Sequence, residues 1–257
     1  MNDIQSLFEP VPEDIDLSTF DFEHIPSHIA VIMDGNGRWA QKHGKKRAFG
    51  HKAGIEGVRA LIRTSDDLGI RYLTIFSFST ENWLRPSGEV RTLMALFANT
   101  MAAELEGLHE KHVRIKTIGD LSILPKKTSE TFENAVAYTR ENTGMTLVIA
   151  VNYGSRQEIV SAIQRIAQSL LTGELDEAAI TALSPDTFSD YLETAGMPDP
   201  ELIIRTSGEY RLSNFLLYQM AYSELYITPT LWPDFDKYEL LRAIIAFQKR
   251  QRRFGGV

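Results

Sequence analysis

Asp34 stands between an apolar run, His28–Met33, and the stretch Gly35-Asn36-Gly37-Arg38-Trp39-Ala40. An acid at the end of a strand, then two glycines and a helix start, admits three readings. The first is a tight turn that is merely glycine-rich. The second is a dinucleotide site, since Gly35-x-Gly37-x-x-Ala40 fits that fingerprint. Its context is wrong: the acid expected about 20 residues on, at the end of a second strand, is replaced by a helical stretch. In the third, Asp34 holds a Mg²⁺ that bridges to a diphosphate seated on the glycine turn and the free N–H groups of the helix start. No GxxxxGK[ST] occurs, which argues against a P-loop NTPase.

Basic residues follow: Arg38, Lys42, His43, Lys45, Lys46, Arg47 and His51. Such a run is usually a solvated face. Beside a phosphate-shaped turn, Arg38 and Arg47 are favoured for forked phosphate contacts, with His51 as a further donor. A second cluster, Phe78-Ser79-Thr80-Glu81-Asn82-Trp83-Leu84-Arg85-Pro86, ends another apolar run. Ser79, Asn82 and Arg85 could bind an anion, and Phe78 and Trp83 could touch apolar substrate. The competing reading is a capping loop with Trp83 packed on the core. A third cluster follows Leu202–Thr206, where Arg205 closes an apolar strand. A buried Arg needs an anion. Arg205, Arg211 and Ser213 make a second anion site, unless Arg205 forms a structural salt bridge with Glu209 or Glu224. Glu224 is also a candidate second carboxylate for the metal. Two anion sites, a metal carboxylate and nearby apolar helices suggest the joining of prenyl diphosphates.

These residues need strands that end at one edge. Apolar, β-branched runs at His28–Met33, Tyr72–Phe78, Val113–Ile118, Met145–Val151, Leu202–Thr206 and Leu225–Ile227 read as strands covered on both faces. Amphipathic stretches at Gly50–Leu68, Gly88–His112, Pro125–Arg140, Ser155–Leu171, Pro185–Leu192 and Asp234–Arg250 read as helices. The alternation predicts a single α/β domain: a six-stranded, mostly parallel sheet flanked by helices. Residues 1–27 are expected to form an acidic, mobile or loosely docked arm, and residues 28–257 the catalytic domain.

The 257 residues contain no cysteine, which excludes disulfides, thiolate metal sites and cysteine nucleophiles. The net charge is −7, but residues 1–23 hold seven acids and no Lys or Arg, so the rest balances at 27 acids and 27 bases. A neutral body argues against nucleic-acid binding. No stretch reaches the roughly 20 apolar residues of a membrane span, and the acidic start does not read as a secretion signal. The expected location is cytoplasmic.

The blocks His28–Ala40, Gly50-His51-Lys-Ala-Gly54, Phe78–Pro86, Asn152-Tyr-Gly154 and Ile204–Glu224 resemble the cis-prenyltransferase family, and within it bacterial undecaprenyl diphosphate synthases. The likeness spans about residues 24–257. It implies condensation of isopentenyl diphosphate with an allylic prenyl diphosphate such as farnesyl diphosphate. The long-chain product would be a lipid carrier precursor for cell-wall synthesis. By position, Asp34 would be the Mg²⁺ and catalytic carboxylate, with Glu224 assisting the metal. Gly35, Asn36, Gly37, Arg38, Trp39, Arg47 and His51 would hold the allylic substrate. Phe78, Ser79, Asn82, Trp83 and Arg85 would form a mobile loop joining the substrates, with Asn36, Ser79 and Asn82 near the chemistry. Arg205, Arg211 and Ser213 would hold isopentenyl diphosphate. The long helix from Gly88, with the preceding helix, would flank a tunnel for the growing chain. The resemblance also implies a homodimer, with Arg253 and Gly255 of an Arg-x-Gly tail reaching across it, and peripheral membrane contact through the lipid product. Shorter- or longer-chain synthases are the enzyme alternatives. A non-catalytic partner subunit is the other class, disfavoured because Asp34, Arg38, Arg205 and Arg211 are all present.

Overall fold

A computed structural model describes residues 6–250. Six strands form one sheet: β1 (His28–Ile32), β2 (Tyr72–Ser79), β3 (Arg114–Ile118), β4 (Thr146–Tyr153), β5 (Leu202–Arg205) and β6 (Glu224–Ile227). Their order is β3-β4-β2-β1-β5-β6, and every pairing is parallel. Among the described residues, eight α-helices connect or follow them: α1 (Asn36–Lys42), α2 (Arg47–Asp67), α3 (Ser87–Glu110), α4 (Lys126–Tyr138), α5 (Ser155–Thr172), α6 (Glu177–Thr181), α7 (Pro185–Ser189) and α8 (Lys237–Gln248).

The expected single α/β domain is what the chain forms. Side chains on a strand alternate between faces. Ile29, Val31, Leu73, Ile75, Leu147, Ile149, Leu202 and Ile204 join α2, α3, α4 and α8 in the larger core. Ala30, Ile32, Val148, Ala150 and Ile203 point the other way, onto Tyr153, Phe215 and Leu216. Both faces of β1, β4 and β5 are covered, so these strands read as nearly continuous apolar runs, whereas β3 alternates and β6 is partly exposed. All six strand positions were legible.

Helix ends differ from the sequence reading where a cap decides them. α8 starts at Lys237 rather than Asp234, because the Asp236 carboxylate accepts hydrogen bonds from the Tyr238 and Glu239 amides at 2.9 and 3.0 Å. The short α6, capped by Asp176, was missed.

The leader is bound more closely than a loosely docked arm. Phe8, Ile15 and Phe20 are buried in the main core. Along α8, Lys237 Nζ donates to the Leu7 carbonyl at 2.5 Å and Tyr238 Oη to that of Pro10 at 2.8 Å. Arg242 pairs with Asp14 at 2.7 Å, and Gln248 Nε2 donates to the Asp21 and His24 carbonyls at 2.6 and 3.0 Å. Among the described residues, no helix is long and apolar enough to cross a membrane.

Candidate active site

β1 and β5 are neighbours, but the chain leaves β1 toward β2 and leaves β5 toward β6. Such a reversal opens a crevice at the carboxyl ends of the two strands, where open α/β sheets bind ligands. Asp34 lies just beyond β1, and Arg205 closes β5. The register pairs Ile32 with Arg205. The Asp34 amide donates to Thr206 Oγ1 at 2.9 Å, and the Asp34 carbonyl accepts from Thr206 Oγ1 at 2.6 Å and from the Trp232 amide at 3.0 Å. The turn is thereby fixed to the end of β5. Gly35 has φ +111°, and a Cβ there would come within 3.0 Å of the Leu231 backbone, so glycine is required twice over.

The Asp34 carboxylate is the centre of the charge. Oδ1 accepts from the Gly35 amide at 2.7 Å. Oδ2 lies 2.9 Å from Arg205 Nη2, 3.5 Å from Arg38 and 3.8 Å from Arg211. Burial pushes this carboxyl up, but the Arg205 hydrogen bond and charge, Arg38 and the Gly35 amide outweigh it and hold it below its ordinary value. Asp34 is therefore ionised at neutral pH. Arg205, only 4% exposed, also donates to Ser213 Oγ at 2.9 Å and to the Arg211 carbonyl. Its partner is Asp34, rather than the Glu209 or Glu224 expected of a structural bridge. Glu209 instead joins Arg38 (2.9 Å) and Arg211. The two anion sites read separately in the sequence therefore meet around one carboxylate.

A neighbouring cluster sits on α2 and the β2–α3 connection. Arg85 lies 3.1 Å, Arg47 3.5 Å and His51 3.9 Å from the Glu89 carboxylate. Glu89 was missed because an acid in the first turn of a helix reads as dipole complement. Thr206 and Ser207 were missed as ordinary polar residues, yet Ser207 accepts from the Arg38 fork through its carbonyl and hydroxyl. Burial, then Arg85 and Arg47, lower the His51 pKa to about 4 against the opposing pull of Glu89. His51 is neutral at pH 7. Its Nε2 and Asn36 Oδ1 are buried with no hydrogen-bond partner among the described residues. α1 and α2 meet closely through Gly50 and Gly54, where a Cβ would lie 1.9 Å from the Asn36 carbonyl oxygen and 2.5 Å from Asn36 Oδ1.

Behind this charged mouth lies a cavity of about 630 Å³. Asp34, Gly35, Asn36, Gly37, Arg47, His51, Ser79, Asn82, Arg85, Arg205, Arg211 and Ser213 all line it. Its depth is apolar, with Ile55, Val58 and Ile62 of α2, Leu93, Phe97, Met101 and Leu108 of α3, and Ile75, Leu147 and Ile149 of the sheet. Arg38 lines an adjoining basic cleft with Lys45, Lys46 and Arg47.

Four sequence candidates fall elsewhere. Trp39 stacks on His43 at 4.0 Å and bonds Asp234 at 2.6 Å, outside the cavity. Phe78 is 1% exposed and packs edge-on against Trp83 at 5.3 Å. Trp83 Nε1 donates to Asn152 Oδ1 at 2.8 Å. Trp83 follows the core-packing alternative, and Phe78 lies in the core with it. Glu224 pairs in register with Leu202, the partner of Ile29, so it lies at the opposite end of the sheet from Asp34. There it pairs with Arg250 at 2.7 Å. Within one chain it cannot share a metal with Asp34. Among the described residues there is no group of three or more metal-ligating side chains. Arg253 and Gly255 lie outside the described residues.

Residues 32–255 match the family model described as "Putative undecaprenyl diphosphate synthase". The chain belongs to this family of cis-prenyltransferases. It is 48% identical over 235 residues to an isoprenyl transferase of Clostridium perfringens, covering 91% of this chain and 92% of the relative. It is 50% identical over 232 residues to isoprenyl transferase 2 of Bradyrhizobium diazoefficiens, covering 90% of this chain and 91% of the relative. Among solved structures it is similar to lavandulyl diphosphate synthase from Lavandula x intermedia in complex with dimethylallyl diphosphate. That match has a TM-score of 0.87 and 35% identity, covering 91% of this chain and all of that one. The protein is thus a prenyl transferase of isoprenoid biosynthesis. The expected fold and reaction class both hold.

Proposed function

We propose that this chain elongates an allylic prenyl diphosphate, farnesyl diphosphate as primer, with isopentenyl diphosphate units to a long cis-polyprenyl diphosphate of the undecaprenyl type. The observation that carries this reading is one ionised carboxylate ringed by three guanidinium groups at the mouth of an apolar cavity of about 630 Å³. Charged heads and a hydrocarbon tail have separate places in such a site.

The allylic diphosphate is assigned to the Gly35–Gly37 turn, Arg38, Arg47 and His51, and isopentenyl diphosphate to Arg205, Arg211 and Ser213. Mg²⁺ fits Asp34, since one hard carboxylate plus substrate phosphate oxygens is its usual coordination. When bound, it would neutralise charge on the departing diphosphate. Glu224 has no part in this assignment, nor do Trp39, Phe78 and Trp83 as direct substrate contacts. Arg38, Arg47 and the amides of the turn stabilise the negative charge that develops as the allylic C–O bond breaks. The isopentenyl double bond then attacks the allylic carbon, and the new cation loses a proton to a diphosphate oxygen. His51, neutral and half-buried, can donate a hydrogen bond without adding charge. The cavity wall excludes water from the cation. The Ser79–Arg85 loop, whose Ser79, Asn82 and Arg85 line the cavity, is assigned to link the two substrates. A homodimer, cytoplasmic residence with peripheral contact at the inner membrane face, and supply of a cell-wall lipid carrier complete the reading.

The test is incorporation of labelled isopentenyl diphosphate into lipid-extractable product, primed with farnesyl diphosphate, with Mg²⁺ or with EDTA, followed by product sizing. Metal-dependent extension to an undecaprenyl length is expected. No incorporation by folded, metal-replete protein, with geranyl diphosphate also tried, would move the assignment to a partner-dependent subunit.

A further inference from the structure

The residue after Ser213 has no role in the reading above. Asn214 holds φ +61°, and Ser213 before it φ +51°. Consecutive left-handed residues without glycine persist only where the surroundings enforce them. Here the contacts of Asn214 with the start of α5 enforce them. The Asn214 carbonyl accepts from the Ser155 amide at 2.8 Å, and its Oδ1 accepts from the Arg156 amide at 2.9 Å. Both are first-turn amides of α5, which lack partners within the helix. The Asn214 amide nitrogen then donates to Gln157 Oε1 and to Glu81 Oε1, each at 3.0 Å. Glu81 belongs to the Ser79–Arg85 loop.

The junction is tight. A Cβ on Gly154 would lie 2.7 Å from both Asn214 Nδ2 and Thr80 Oγ1. On the other side, Ser213 Oγ accepts from Arg205. One short path therefore runs from the Arg205 guanidinium, through Ser213 and Asn214, to the Ser79–Arg85 loop, which lines the cavity. Burial pushes the Glu81 carboxyl up, but its own backbone amide and the Asn214 amide outweigh this and keep it below its ordinary value. Glu81 is thus an ionised acceptor at neutral pH.

We infer that Asn214 is a positioning residue: anchored on the start of α5, its side-chain amide holds Glu81 and so sets the Ser79–Arg85 loop against the Arg205–Arg211–Ser213 group. This rests on the assignment of isopentenyl diphosphate to that group. Asn214 lines the cavity beside Ser213, but it is uncharged and its side-chain hydrogen bonds go to the Arg156 amide, Gln157 and Glu81. It fixes the distance between two loops that each contribute to one reaction.

The experiment is a double-mutant cycle on the full chain, read by steady-state kinetics with each substrate varied and by thermal melting. Asn214→Gly keeps the left-handed backbone and removes the amide. Glu81→Ala removes the acceptor on an exposed loop, and Glu81→Gln keeps an acceptor oxygen. We expect Asn214→Gly and Glu81→Ala each to raise the KM for isopentenyl diphosphate about tenfold, with the allylic KM within about twofold. The double variant should be no worse than either single, and Glu81→Gln should stay within about threefold of the parent. Multiplying effects in the double variant would overturn the inference, as would an unchanged isopentenyl KM in Glu81→Ala, which decides the matter even if Asn214→Gly melts early. Both KM values rising together with a lowered Tm would reduce Asn214 to a structural cap. A parent chain that incorporates no isopentenyl diphosphate would instead overturn the functional reading on which this one stands.

Discussion

Asp34 and Arg205 neutralise one another at the mouth of the cavity, so a neutral residue at either position should cost charge balance and activity together. Asp34→Asn keeps the shape and removes the charge. Turnover should fall by at least about 10³-fold in the incorporation assay, the scale of losing a group that acts on developing charge. The same change strands a buried guanidinium, so stability should fall by about 2 kcal/mol in urea titrations. Arg205→Ala should raise the isopentenyl diphosphate KM by about 100-fold and leave the allylic KM within a few-fold. The reverse pattern would mean that the two diphosphate sites are exchanged. A separate consequence concerns acid. His28 is 2% exposed, with Nδ1 2.7 Å from the Pro198 carbonyl oxygen and Nε2 2.8 Å from Thr74 Oγ1. Burial lowers its pKa to about 4, against the Pro198 carbonyl and Glu201, as burial and two arginines do for His51. Between pH 6.5 and 4 the unfolded chain binds protons at these two positions and the folded chain does not. Stability is therefore full above pH 6.5 and lost as pH falls toward 4, by up to about 3 kcal/mol per histidine. Urea midpoints at pH 7 and pH 5 measure the loss, and His28→Gln should flatten the slope.

At the scale of elements, α1 and α2 are held in contact by glycine. Gly50→Ala would drive a Cβ into the Asn36 carbonyl and push α1, with the Asp34 turn, off its seat. We expect a loss of about 1–3 kcal/mol in denaturant titration and a larger loss of activity than stability alone accounts for. Near-parent values in both would mean that the turn tolerates displacement. The strands were legible because doubly covered parallel strands are continuous apolar runs. The helices were legible from their stripes, but their ends were set by caps such as Asp236, which sequence periodicity does not weigh. The site was legible in parts only. Glycines, arginines and the acid at strand ends pointed to diphosphate chemistry. Their grouping was not legible, because Asp34 and Arg205 meet only through the β1–β5 pairing. The same register carries Glu224 to the far end of the sheet. The aim of Trp83 and Phe78 was equally hidden, since an aromatic in a loop, or near the end of a strand, beside a cavity can turn either way.

At the scale of the molecule, the leader's composition predicts a mobile or loosely docked arm, one whose loss would cost little. Its packing changes that expectation. Removing Phe8, Ile15 and Phe20 from the core should lower stability by several kcal/mol, at about 1.5–3 kcal/mol for each large apolar side chain. Thermal melting of a chain starting at Asp21 should give a clear drop in Tm, and an unchanged Tm would refute the structural role. The direction of the leader has a mechanical consequence. Leu7, Pro10, Asp14 and Asp21 meet Lys237, Tyr238, Arg242 and Gln248 in the same order along α8. Tension applied at the N-terminus loads these attachments one after another, beginning with Leu7, rather than all together. The strap should peel away stepwise at low force, while the parallel sheet behind it, whose neighbouring strands would have to slide past one another in shear, holds to a much higher one.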